Sequence, residues 1–243
     1  MIQAFTIVFG NTMSNILSNG DTLTDDFKTF EATDLYNGVY NYVKDYMSRY
    51  DISHDHSHIL RVLNIAKHIL TQELASQPVS HLDARAVVLA ALLHDVGDKK
   101  YLQPNENATD MITTVLKSYA CPSNLAAKVA VIVEHVSFSS EIKRPEVVKA
   151  MIAEHPELAI VQDADRLDAI GAVGIARTFA FGAAKMPGRG LQGCVEHFGE
   201  KLERLEGMMK TGTGRAMAKE RTRRLREFRG WWEEEVGLGE FAV

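Results

Sequence analysis

Two cysteines, Cys121 and Cys194, are all that the 243 residues contain. So few exclude a disulfide framework and point to a reducing compartment. They also exclude a structural zinc site built on cysteine ligands. Basic residues are missing from the start of the chain, where the first is Lys28. The short apolar opening, Ile2 to Phe9, therefore lacks the positive flank of a signal peptide and the Arg-rich character of a transit peptide. No apolar run reaches membrane-spanning length. Alternating strand patterns of useful length are absent beyond the first ten residues, and no repeat or low-complexity linker occurs. A net charge of -5 argues against general affinity for nucleic-acid polymers. The expectation is a soluble, cytoplasmic protein with neither a membrane nor a nucleic-acid polymer as partner.

What the sequence does have is helical periodicity and 46% hydrophobic residues, enough for a substantial core. Residues 1–32 are rich in Asn, Ser, Thr and Asp and predict a loose leader. Residues 33–243 predict one domain. Leu35, Val39, Tyr42, Val43, Tyr46, Met47 and Tyr50 follow helical spacing, as do Ile59, Val62, Leu63, Ala66, Ile69, Leu70 and Leu74. Ser123 suits a helix N-cap and Pro145 a first helical turn. Leu158 to Phe181 is nearly all apolar, and Lys185 to Gly193 reads as a glycine-containing loop. The charge-dense stretch from Glu200 to Arg229 reads as a solvated helix face. Trp231 and Trp232 are candidates for core or for contact with a second copy in a homodimer. The class is all-α, with about eight to ten helices in one bundle.

Four clusters carry chemistry. The first is Ala90-Ala91-Leu92-Leu93-His94-Asp95-Val96-Gly97-Asp98-Lys99, an unbroken apolar helix that delivers His94 and Asp95 to its own end. Such a helix has no wet face, and a buried His-Asp pair needs a partner, most simply a metal ion. Gly97 suits a left-handed cap that turns Asp98, Lys99 and Lys100 over the same site. The second is His54-Asp55-His56-Ser57-His58 with Arg61, near a helix start. The third, Gln162 to Asp168, places Asp163, Asp165, Arg166 and Asp168 inside apolar sequence; Asp165 and Asp168 share a face and Asp163 points elsewhere. The fourth is Glu134-His135 at a helix end. Each cluster alone has a plainer reading: solvated histidines, helix-dipole compensation, or a salt-bridge network around Arg166. Mixed imidazole and carboxylate ligands suit Mn, Mg, Fe, Co, Ni or Zn.

His58, His94-Asp95 and Asp165 resemble the ordered H…HD…D signature of the HD-domain metal-dependent phosphohydrolases. The likeness extends through His54-Asp55-x-x-His58-x-x-Arg61-Val62, Glu134-His135-x-Ser137-Phe138 and Gln162 to Gly171 to a small single-domain subgroup that includes nucleoside triphosphate pyrophosphohydrolases. It covers roughly residue 34 to the end. The resemblance implies one divalent ion, with Mn favoured, held by His58, His94, Asp95 and Asp165; Asp163 is the rival fourth ligand or a neighbour behind it. It implies a nucleotide or related small phosphate ester as substrate, with Asp98, helped by Asp95, handling the water proton. His54, Arg61, Lys99, Lys100, His135, Arg166, Asp168 and Lys185 are the candidate substrate contacts, Lys185 from a lid with Arg189. An HD-fold di-iron oxygenase and a catalytically silent nucleotide sensor are the alternatives.

Overall fold

The computed structural model describes residues 20–52, 54–76, 81–98, 102 and 107–237. Its centre is α4 (Ala84–Leu93), in which every residue from Ala86 to Leu93 is fully buried. Each buried Leu or Val contributes on the order of 1.5–3 kcal/mol by leaving water. Asp83 starts the helix by accepting the N–H groups of Arg85 and Ala86, which otherwise have no intrahelical partner.

Helices α3 (His56–Ser76) and α9 (Glu157–Asp168) pack against α4 and against each other. The apolar stripe expected from Ile59 to Leu74 is the buried face of α3. Helix α9 is buried almost all round, polar residues included. Around this trio lie α2 (Asp34–Met47), α5 (Ala108–Ser118) and α6 (Ser123–Val136). The short α7 (Phe138–Lys143) and α8 (Pro145–Glu154) follow, with Pro145 opening α8 as expected. A bend of 68° separates α9 from α10 (Gly171–Lys185). Gly171, at φ +76°, makes that corner. Then come α11 (Gly190–Glu200), a 3-10 segment (Leu202–Met208) and the long α12 (Gly212–Gly237).

The class is all-α, and among the described residues there are twelve α-helices and no strand. The number exceeds the eight to ten expected because short connections hide helix boundaries. The Leu158 to Phe181 run is two helices. Lys185 to Gly193 is not an open loop: Pro187–Arg189 is a 3-10 turn and Gly190 opens α11. Ser123 is already helical, and Pro122 precedes it without a side-chain cap. Part of the expected leader is also ordered. Gly20–Glu31 forms α1, with Leu23 and Phe27 buried in the core; residues 1–19 lie outside the described residues. Trp232 packs on Phe179 and Phe228, whereas Trp231 is exposed. Among the described residues no single helix is long and apolar enough to cross a membrane.

Candidate metal centre

Three helix ends meet at one pole of the trio. His58 stands in the first turn of α3, His94 caps α4 at its C-terminus, and Asp165 lies in the last turn of α9. The Nε2 atoms of His58 and His94 are 3.2 Å apart. An oxygen of Asp95 lies 3.3 Å from His58 Nε2 and its other oxygen 3.6 Å from His94 Nε2. Asp165 Oδ1 is 3.7 Å from both ring nitrogens. The four expected ligands are thus brought together from three helices.

The far side of each ring decides what the near side can do. His94 Nδ1 is 2.8 Å from the Ala91 carbonyl, which can only accept, so Nδ1 carries the hydrogen. His58 Nδ1 is 2.8 Å from Asp168 Oδ2, which fixes the same tautomer. Both Nε2 lone pairs then face one another among carboxylate oxygens. Asp95 Oδ2 is buried with no hydrogen-bond partner. Such a set of acceptors without a donor fits a divalent cation, with both histidines oriented from behind as metal-binding histidines generally are. Burial would raise the Asp95 carboxyl, but His94 and His58 outweigh it and hold it far below the ordinary carboxylate range. Burial lowers His58, yet Asp168 and Asp95 more than offset this and leave it raised.

Behind His58, Asp168 is almost fully buried. Arg61 donates Nε and Nη2 to its two oxygens at 2.8 and 3.0 Å, and Arg177 of α10 donates Nη1 at 3.0 Å. Asp168, expected as a substrate contact, is therefore not one: its oxygens are spent inside the protein. The sequence signal for Arg177 is an arginine in an apolar run nine residues after a buried aspartate.

Arg166 is corrected likewise. It is buried, donates to the Val136 and Gln162 carbonyls, and pairs with Glu141 at 2.6 Å. Asp163 is neither ligand nor neighbour to the ligands, because it accepts Lys210 N–H, Thr211 N–H and the Thr211 hydroxyl. His135 is buried, with Nδ1 on the Val131 carbonyl 2.8 Å away. Lys185 pairs with Asp51 at 3.4 Å from the end of a helix.

Of the remaining candidates, His54 and Arg61 are partly exposed and sit at the mouth of the centre, beside His58. The His54 ring lies edge-on, 6.1 Å from that of His58 and 5.8 Å from Phe181. Arg61, its side chain one-third exposed, keeps Nη1 beyond its fork on Asp168. Gly97, at φ +77°, reverses the chain after α4, and its N–H donates to the Tyr46 hydroxyl. The Asp98 N–H then bonds the Asp95 carbonyl at 3.2 Å, which holds Asp98 close in the turn. Lys99 and Lys100 lie outside the described residues.

Comparison with known proteins agrees with this geometry. The HD-domain family model matches residues 56–170, a span holding all four converging side chains. The Bacillus subtilis protein YpgQ is 38% identical over 174 residues, covering 69% of this chain and 77% of its own. The crystal structure of YpgQ in complex with ADP superposes with a TM-score of 0.64 at 33% identity, covering 81% of this chain and 97% of that one. An HD-superfamily hydrolase from Bacillus thuringiensis gives 0.60 at 29% identity, over 82% and 95%. With the ordered signature, the converging side chains and these relatives in agreement, the chain belongs to the HD-domain superfamily of metal-dependent phosphohydrolases.

Proposed function

We propose that the protein is a nucleotide pyrophosphohydrolase, cleaving a ribo- or deoxyribonucleoside triphosphate to the monophosphate and pyrophosphate. The carrying observation is the pair of Nε2 atoms 3.2 Å apart, both facing away from their Nδ1 partners and toward Asp95 and Asp165. The complex of YpgQ with ADP supports a nucleotide as the ligand.

His58, His94, Asp95 and Asp165 would hold a divalent ion, which would supply a Lewis acid to acidify water and offset phosphoryl charge. The chain supplies the rest. Asp98 takes one proton from the attacking water, with Asp95 orienting that water. The water oxygen bonds to the α-phosphorus as the bond from that phosphorus to the α–β bridging oxygen breaks, and pyrophosphate leaves with the electron pair. Arg61 Nη1, with Lys99 and Lys100 supplied by the sequence after Asp98, offsets charge on the phosphates. His54, packed against Phe181, donates to the substrate at the mouth.

The test is a nucleotide panel with Mn or Mg, scoring pyrophosphate against phosphate. Pyrophosphate release that disappears in His94→Ala and Asp95→Ala is the expected result. Phosphate as sole product, or full activity in those variants, overturns the reading. Tight nucleotide binding without turnover under any divalent ion would replace it with the sensor. Two irons per chain with oxygen consumption would replace it with the oxygenase. Among the described residues one group, His58, His94 and Asp95 with Asp165 beside it, could hold a metal ion, which favours the single-ion reading.

A further inference from the structure

We propose that Asp168 is the positioning residue of the metal centre, and that Arg61 and Arg177 act on the cation through it. The inference rests on the metal-centre reading and adds a chain of command behind one ligand. Asp168 meets His58 at Nδ1, on the ring edge remote from Nε2. It is too deeply buried to meet substrate and points away from the converging oxygens of Asp95 and Asp165.

Its two arginines explain how a buried carboxylate can serve here. Left alone, such a carboxylate would rotate toward any donor within reach. Arg61 occupies both oxygens in a fork, and Arg177 adds a second cation on Oδ2, the oxygen that accepts from His58. The carboxylate is thereby fixed in plane, with Oδ2 aimed at His58 Nδ1. His58 must then donate from Nδ1 and offer Nε2 to the ion. His94 is set differently, by the carbonyl of Ala91 on its own helix. One ligand is oriented by a neutral local group and the other by a charged cluster drawn from α3, α9 and α10.

Arg177 lies beyond residues 56–170, the segment the HD-domain model covers. The corner at Gly171 returns α10 so that this side chain reaches the end of α9. The centre therefore depends on a residue outside the segment that carries its ligands.

The experiment titrates Mn into the full chain, reading free Mn by electron paramagnetic resonance, for wild type, Asp168→Asn, Arg177→Gln and Arg177→Lys. Asp168→Asn is expected to weaken Mn binding about 10–100-fold while the helical circular dichroism of the apoprotein is kept. Arg177→Gln is expected to weaken it less, and Arg177→Lys to restore part of the loss. A folded Asp168→Asn chain with wild-type Mn affinity overturns the proposal. Should that variant fail to fold, nitrogen-15 NMR of the metal-free wild type decides. Measured at a pH above the His58 titration, hydrogen on Nδ1 supports the assignment, and hydrogen on Nε2 overturns it. Wild type that binds no Mn defeats the metal-centre reading instead, and the tautomer measurement still tests the placement of Asp168.

Discussion

Asp163 Oδ2 accepts both the N–H and the hydroxyl of Thr211, each at 2.8 Å, on a different face of α9 from Asp165. Two carboxylates two residues apart thus have unrelated tasks. One faces the candidate metal centre, and the other holds the chain entering α12. Gly214 lies so close beneath Asp163 that any side chain there would collide with the carboxylate.

Asp163→Ala is expected to leave the N–H groups of Lys210 and Thr211 without an acceptor, at about 1–3 kcal/mol for each buried donor. Urea denaturation should show the loss, while Mn affinity of the folded variant stays at the wild-type value. A large fall in Mn affinity would place Asp163 back at the centre.

Acid sensitivity should trace to Asp168. Burial alone would raise its carboxyl, but the His58 and Arg61 hydrogen bonds and the Arg177 charge depress it well below the ordinary 3.8. A depressed folded value means the contribution is complete above the unfolded value and is lost as pH falls toward the folded one. Asp168→Asn should therefore flatten the dependence of stability on pH below about 4, measured by thermal melts of the metal-free chain. An unchanged acid limb counts against this assignment.

Gly97→Ala should harm both stability and turnover. An L-residue at φ +77° costs about 1–2 kcal/mol, and the added Cβ would come within 2.5 Å of the Ala108 Cβ. The turn that carries Asp98 would have to shift. The expected result is a lowered denaturation midpoint and a kcat reduced more than Mn affinity.

His54→Ala should separate substrate from metal. The ring stands edge-on to His58 at the mouth and is not one of the four converging side chains. Mn binding is expected to stay within about twofold of wild type, while KM for the nucleotide rises on the order of tenfold, as for loss of one polar contact. Steady-state kinetics together with a Mn titration check this.

Much of the centre was legible in one dimension because its chemistry conflicts with its surroundings. His94 and Asp95 end a helix with no wet side, and Asp165 interrupts an apolar run; both demand a partner wherever the chain folds. Gly97 was legible because a left-handed cap calls for glycine. Polar residues whose partners arrive from distant sequence were not legible. Asp163, Arg166 and Asp168 share one short stretch, yet their partners are Thr211, Glu141 and Arg177, from three other helices or their approaches. Periodicity gives the face on which a side chain sits, not the element that comes to meet it. The corner between α9 and α10 escaped for a related reason, since apolar residues continue across it while the backbone turns.

The arrangement of helix ends at the centre also shapes its electrostatics. Helices α4 and α9 both present their C-terminal, partially negative ends there, beside the carboxylates of Asp95 and Asp165. On the proposed function, a cation bound there would offset this negative charge where substrate phosphates would have to sit.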